Sequence, residues 1–434
     1  MPPLILVTGA TGYIASLLIP QLLERGYRVR AMARQPERLK KRKWYPQVDM
    51  VRGDVQDPAS LLTALKDVHT AYYLIHNMSL GHGYTEIEVE GARNFASAAE
   101  QTGVEHIIYL GGLADPEQHI APHMRSRIET GVTLRKGKVP VTEFRAGVIA
   151  GSGSISFEMI RFMTELFPIV PGPLWMKNKS QPIAVQNIID YLMTALENKN
   201  GQGQVFEIGG PDILTYKESM LRYARLRGLR RSMVMLPGLP VWFMALGVDM
   251  MTPVPYPIAQ ALIGGLSADS VVKHHEALQV FPEVKLIDFD SAAEDALKRT
   301  HPNYIERVWD GNQRVEDPLE ALDIWLKHEG CFIAHCTLKA ASTPETLIQK
   351  IEETTRQQGW TVEEQKRFHI LTRQDEQKYG KLWVEWRVEP DPVHLTQTVF
   401  FSPHGLPGFL YWLLFRPFHQ MKFRRLLRKI VRKT

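Results

Sequence analysis

The 434-residue sequence predicts an α/β amino-terminal part, doubly wound around a parallel sheet, followed by a smaller α+β module. Three observations carry that expectation. A strand, glycine turn and helix open the chain; short apolar runs then alternate with helix-length amphipathic stretches; and beyond Gly330 strands follow one another, with one helix after the first.

The opening unit is Leu4-Ile5-Leu6-Val7, an unbroken apolar run, followed by Thr8-Gly9-Ala10-Thr11-Gly12-Tyr13-Ile14-Ala15. Glycines at positions 9 and 12 are expected to permit positive backbone angles and close approach of the main chain to a ligand. The next helix is expected from Ala15 to Arg25, with Leu17, Leu18, Leu22 and Leu23 on one face and Gly26 as its stop. Its amino end offers N–H groups and the positive end of the helix dipole, so the unit reads as a pyrophosphate cradle. Glycine pairs at this spacing also occur in ordinary tight turns. A second strand, Arg28 to Ala33, ends at Arg34. A carboxylate there would bind the adenosine ribose of NAD, whereas a cation suits the extra phosphate of NADP, so NADP(H) is preferred and NAD(H) is the alternative.

Met50 and Val51 lead into Arg52-Gly53-Asp54-Val55, and Pro58 then starts a helix through Leu61, Leu62 and Leu65. Thr70–Ile75 reads as a strand, Ile87–Gln101 as a helix stopped by Gly103, and His106–Leu110 and Val141–Arg145 as strands around a helical pattern at Arg125–Leu134. Right-handed crossovers would put a ligand beyond the carboxyl ends of these strands. Helices are expected at Phe157–Phe167 and Val185–Leu196, then a strand over Gln204–Ile208 before Gly209-Gly210-Pro211, and a helix at Tyr216–Leu226.

From Met233 to Leu266 the chain is apolar, with Trp242, Phe243 and Met244, but five prolines and Asp249 interrupt it. A bilayer span needs about 20 apolar residues in unbroken helix, so a cleft wall or interfacial patch is expected instead. The charged stretch from Val271 to Leu326, broken by Pro282, Pro302 and Pro318, reads as a linker with short helices. Residues 1–230 thus form the first domain with its substrate subdomain, 231–329 the apolar segment and linker, and 330–434 the last module.

In that module strands are expected at Cys331–Leu338, Phe368–Thr372, Leu382–Val388 and Leu395–Phe401, with helices at Pro344–Gln357 and Gly408–Arg432, the latter interrupted at Pro417. Cys331 and Cys336 are the only cysteines, and a separation of five on a strand puts them on opposite faces, excluding a disulfide or a shared metal. His274 and His275 lack a third ligand and read as ordinary polar residues. Low cysteine content and the absence of a basic leader suggest a cytoplasmic location.

The net charge is +5, and no acidic residue follows Asp391. Arg416, Lys422 and six cations from Arg424 to Lys433 are interleaved with apolar residues at helical spacing. The face of Tyr411, Trp412, Leu414, Phe415 and Phe418 is expected to pack on its own sheet. The basic end beyond Arg424 suits peripheral contact with an anionic membrane, or is a solvated helix end. No nucleic-acid reading motif accompanies it, and nucleic acid is not expected as a partner.

Through Thr8-Gly9-Ala10-Thr11-Gly12-Tyr13-Ile14-Ala15, Gly53-Asp54-Val55, Arg145-Ala146-Gly147-Val148-Ile149 and Gly209-Gly210-Pro211, roughly residues 3 to 230 resemble the short-chain dehydrogenase/reductase superfamily in its atypical, NmrA-like branch. The resemblance implies a Rossmann domain whose dinucleotide is held by Gly9, Thr11, Gly12, Tyr13 and Ile14. It implies further that Arg34 meets the 2'-phosphate, that Asp54, beside Val55, accepts from the adenine amino group, and that Leu74 to His76 pass beside the cofactor. Ala15 stands where the dehydrogenases have a last glycine, a change that helix packing should tolerate.

The family's catalytic Tyr-x-x-x-Lys pair is missing. His123-Met124-Arg125-Ser126-Arg127 stands in its place, and Gly111-Gly112-Leu113 replaces the expected serine. His123 is a candidate acid, because imidazole titrates near neutrality, or else a surface or cap histidine. Arg127 is a candidate ribose contact, or else pairs with an acid such as Glu129. The tail from Phe400 to His419 resembles an uncharacterised domain of the START-like, helix-grip superfamily, which implies an apolar cavity; only about four strands can be placed. Two functions follow: an oxidoreductase acting on an apolar carbonyl or quinone-like substrate, or a non-catalytic NADP(H)-binding sensor or assembly protein.

Overall fold

Strands β1 (Leu4–Val7), β2 (Arg28–Ala33), β3 (Asp49–Arg52), β4 (Thr70–Tyr73), β5 (His106–Gly112) and β6 (Val141–Ala146) are joined by Val205–Ile208 in one sheet. Its order is β3-β2-β1-β4-β5-β6 with Val205–Ile208 outermost, and every pairing is parallel. The computed structural model describes all residues except 1, 41, 77–83, 116, 118–119, 252–253, 267, 305–324, 327–329, 375–377 and 433–434.

Alternation along each strand divides the core. Ile5 and Val7 face one helix layer with Leu18, Leu22 and Phe144, while Leu4 and Leu6 face the other with Leu61, Phe95 and Ile107. Each fully buried Leu or Phe contributes roughly 1.5–3 kcal/mol. The crossovers run through α1 (Tyr13–Glu24), α2 (Pro58–Leu65), α3 (Tyr84–Thr102) and α4 (Pro122–Arg135). Asp57 caps α2 by accepting from the Ala59 N–H at 3.1 Å, and Pro58 occupies its first turn. Chain order reverses between β1 and β4, which is where an open α/β sheet forms its ligand crevice.

Much of the expected segment and linker is part of this domain. Ser232–Leu236 pairs in parallel with Ile169–Pro173, next to α5 (Ile155–Leu166), and helices Val241–Met251 and Tyr256–Gly265 follow. Phe281 lies edge-on to Phe206 at 5.1 Å and near Phe144 at 5.3 Å, closing the core beneath the edge strand. Charge density hid this, because only one side chain in several points inward. Most of the linker between residues 305 and 329, including Pro318, lies outside the described residues.

The last module is a six-stranded antiparallel sheet. Its strands are Trp325–Leu326, Phe332–Lys339, Thr361–Lys366, His369–Gln374, Gly380–Pro390 and Val393–Pro403, so the expected four strands become six. Thr361–Lys366 is an almost wholly exposed edge with no apolar alternation to betray it. Cys331 and Cys336 lie in separate clusters on opposite faces, and neither forms a disulfide.

Two helices, Gly405–Leu414 and Arg416–Val431, cover one face. The break falls at Phe415, and Pro417 sits in the first turn of the second helix, where a missing N–H costs nothing. Trp412 stacks on Phe401 at 4.6 Å, as the expected core contact. Leu414, Phe415 and Phe418 do not pack on the sheet: they are 69%, 49% and 62% exposed, because the chain turns the corner there and carries them outward.

Candidate functional site

At the carboxyl end of β1 the Thr8 hydroxyl donates to the Tyr72 carbonyl at 3.0 Å and accepts from the Leu74 N–H at 3.0 Å, fixing the turn against β4. Gly9 has φ +61°, and a Cβ there would lie 2.9 Å from the Leu74 carbonyl oxygen. Both facts demand glycine. Gly12 is different: its φ is −79°, and its need is for space, since a Cβ would lie 3.0 Å from the Gly9 oxygen. Gly12 is the N-cap of α1, and no side chain caps that helix, so its amino end is shaped for an anion. Thr11 and Gly12 are exposed at this turn, Tyr13 and Ile14 are half-buried, and Ala15 points into the core.

Arg34 is exposed at the end of β2, and Arg38 is exposed one short turn later, a second cation that the sequence reading passed over. The Asp54 carboxylate accepts from the Gln56 N–H at 3.0 Å and remains partly accessible. Val55 is spent on packing: its side chain is buried against α3, where a Cβ on Gly91 would lie 2.7 Å from it. Leu74 borders Gly9 through its backbone, and His76 lies beyond it. These residues fit a dinucleotide: a glycine turn, a helix end without a side-chain cap, the Asp54 carboxylate and the Arg34 cation follow one another along the strand ends.

Beyond the ends of β5 and β6 a crevice of about 670 Å³ is lined by His123, Arg127, Gly147, Ser156, Tyr216 and Ser270, among others. His123 and Arg127 lie one turn apart on α4. The Arg127 guanidinium donates to the Leu110 carbonyl at 2.9 Å, tying α4 to β5, while Glu129 is exposed. No described group accepts from Arg127 Nε. A Cβ on Gly112 would lie 2.8 Å from Met124 Cε, the end of a flexible side chain that can shift, and 3.1 Å from Arg127 Cδ.

His123 is buried rather than at the surface, being 5% exposed. Burial, then His76 and Arg127 nearby, push its pKa down to about 3. The imidazole is therefore neutral at physiological pH, which corrects the expectation that it titrates near neutrality. His76 Nδ1 pairs with Glu88 at 2.7 Å, and the Ser126 hydroxyl donates to the other oxygen of that carboxylate. Burial lowers the His76 pKa as well, against the raising effect of Glu88.

The crevice continues into an apolar cleft of about 700 Å³, and the two share Val148, Ser156, Tyr216, Leu262 and Leu266. Met159, Ile160 and Met163 of α5 form one wall, and Met244, Val248 and Ile263 another. The Met233–Leu266 stretch thus supplies a cleft wall, as expected. Sequence reasoning missed Ser156 and Tyr216. The second had a signal: Thr215 and Glu218 form a reciprocal capping box that fixes Tyr216 as the first residue of helix Tyr216–Leu226. His274 is exposed, and no cluster of potential metal ligands exists among the described residues.

Residues 9–130 match the NAD(P)H-binding family model, and residues 338–426 match a family described as protein of unknown function, DUF2867. A reductase of (4-alkanoyl-5-oxo-2,5-dihydrofuran-3-yl)methyl phosphate from Streptomyces griseus is 28% identical over 60% of this chain and 85% of its own length. Cinnamoyl-CoA reductase 1 of Oryza sativa is 34% identical over 24% of this chain, and the chain spans only 33% of that relative. The NADPH complex of an Escherichia coli NADPH-dependent quinone oxidoreductase is 17% identical, with a TM-score of 0.55 over 68% of this chain and 99% of that one, a likeness of fold.

Residues 9–130 thus lie in a parallel α/β domain that matches an NAD(P)H-binding family and shares its fold with solved NADPH-dependent reductases. The carboxy-terminal module is a DUF2867 domain, and its function is unassigned.

Proposed function

We propose that the protein is an NADPH-dependent reductase of an apolar carbonyl or quinone-like compound. One observation carries the reading: the apolar cleft opens into the crevice at the ends of β5 and β6, where His123 and Arg127 stand. When bound, the reduced dinucleotide supplies a hydride.

The chain's own residues bind and orient. Gly9, Thr11, Gly12, Tyr13 and Ile14 hold the pyrophosphate, Arg34 the 2'-phosphate, and Asp54 the adenine, with Leu74 and His76 alongside. Arg127 faces the ribose. The cleft excludes water from the acceptor through Met159, Ile160 and Val248. At its polar end neutral His123 and the Ser156 and Tyr216 hydroxyls offer hydrogen bonds to the acceptor oxygen, a neutral donor set rather than a charged acid. Burial raises the Tyr216 pKa, which keeps its phenol protonated.

Loss of the Tyr-x-x-x-Lys pair, together with the strongly depressed His123 pKa, favours a second reading: a non-catalytic NADP(H)-binding sensor or assembly protein. A panel of apolar quinones and carbonyls separates the two. Steady consumption of NADPH with a panel member, abolished in His123→Phe while NADPH affinity is kept, supports the reductase. Tight NADPH binding without consumption supports the alternative.

A further inference from the structure

The helices Gly405–Leu414 and Arg416–Val431 spend their inner faces on the module's own core, burying Phe409, Trp412, Phe423, Leu427 and Ile430. Their corner faces outward. Leu413, Leu414, Phe415, Phe418 and Met421 are 52%, 69%, 49%, 62% and 47% exposed. Exposed apolar residues scattered singly are ordinary, but a continuous run of them marks an interaction site.

The same stripe then becomes cationic. At 3.6 residues per turn Phe418, Met421, Arg425, Arg428 and Arg432 fall within roughly a quarter of the helix circumference, and all five are exposed. Beside them a recess of about 1100 Å³ opens between helices Pro344–Gln357 and Arg416–Val431, with Lys350, Arg425, Arg428, Lys429 and Arg432 on its walls and Glu353 as its acid. Lys350 Nζ donates to the Arg432 carbonyl at 2.8 Å and Lys429 Nζ to Gln357 at 3.3 Å, so both ammonium groups are held at this recess.

We propose that this corner docks on the surface of an anionic lipid bilayer. The tip from Leu413 to Met421 enters the boundary between headgroups and acyl chains, and the cations beyond it lie over the headgroup phosphates. The charge pattern selects this occupant. A second copy would bring like charges face to face, and a polyanion without an apolar layer would leave the tip in water. No described helix is long and apolar enough to cross a membrane, and the contact proposed is a peripheral one. It holds whether or not the crevice turns over a substrate.

Co-sedimentation of the full chain with phosphatidylcholine vesicles, with and without phosphatidylserine, tests this. The protein should pellet with the anionic vesicles, less so as salt is raised, and remain in solution with neutral ones. Leu414→Asp with Phe418→Asp should abolish pelleting. Arg425→Gln and Arg428→Gln should each weaken it about fivefold, with the parent's urea-unfolding midpoint retained in every variant as proof of folding. Protein left in solution with both vesicles, or pelleted equally by both, overturns the proposal. So does a dimer in light scattering that Phe418→Asp dissociates, because the corner would then belong to a second copy.

Discussion

The Glu165 carboxylate on α5 accepts a hydrogen bond from the backbone N–H of Gly405 at 2.7 Å, across 240 positions of sequence. Its other oxygen accepts from the Tyr223 hydroxyl at 2.9 Å and from Arg227 Nε at 2.5 Å, and Arg227 also donates to the Pro403 carbonyl at 3.0 Å. A buried carboxylate therefore joins the two modules, flanked by Phe162 against Phe409. Gly405, with φ +62°, supplies the turn that aims its N–H inward.

Removing one member of such a buried pair leaves the other charge uncompensated. Glu165→Ala should cost about 3–5 kcal/mol, read as a lower urea midpoint and as earlier proteolytic cutting near residue 405. An unchanged midpoint would show that apolar packing alone holds the joint.

The cradle depends on Gly9. Gly9→Val forces a branched side chain to a positive φ, at a cost of about 1–3 kcal/mol, and drives its Cβ toward the Leu74 carbonyl. NADPH affinity measured by calorimetry should fall at least tenfold. Retained affinity would place the pyrophosphate elsewhere.

Arg34→Ala should weaken NADPH by about tenfold or more, the worth of a charge-assisted hydrogen bond, and leave NADH nearly unchanged. Equal weakening of both would remove Arg34 from the 2'-phosphate. Arg38→Ala tests whether the neighbouring cation shares the task.

Most of this was legible because strand and helix periods differ and glycine marks turns. β2 and helix Tyr216–Leu226 have the bounds that their apolar spacing predicts, and the tight turn after β1 lies at Gly9 as the glycine spacing predicts. What was hidden depends on tertiary burial. Nothing in the residues around His123 shows that Gly265 comes close enough for a Cβ there to meet the ring at 2.5 Å, shutting it away from water. Likewise Val55 matched a cofactor motif by position, yet its side chain is buried against α3, and Ser156, near the start of α5, lines the crevice only through the tertiary fold.

Burial of neutral imidazoles gives a pH signature. In the unfolded chain His123 takes up a proton near its ordinary 6.5, whereas the folded chain resists until about 3. The unfolded state thus binds more protons in that window, and stability is lost as pH falls through it, by up to about 1.4 kcal/mol per unit for such a group. His106, held down to about 4 chiefly by burial, adds to the loss in the upper part of that window. Urea unfolding of His123→Leu at successive pH values should show a shallower loss than the parent. Parallel curves would mean that His123 is solvated.

Transfer of deuterium from NADPH labelled at nicotinamide C4 tests the central claim most directly. With an apolar quinone or carbonyl that fits the cleft, the account predicts label from one face of C4 in the reduced product, on carbon for a carbonyl acceptor, or lost to solvent with stoichiometric NADPH consumption for a quinone. Saturable NADPH binding with neither label transfer nor consumption across the panel would contradict it.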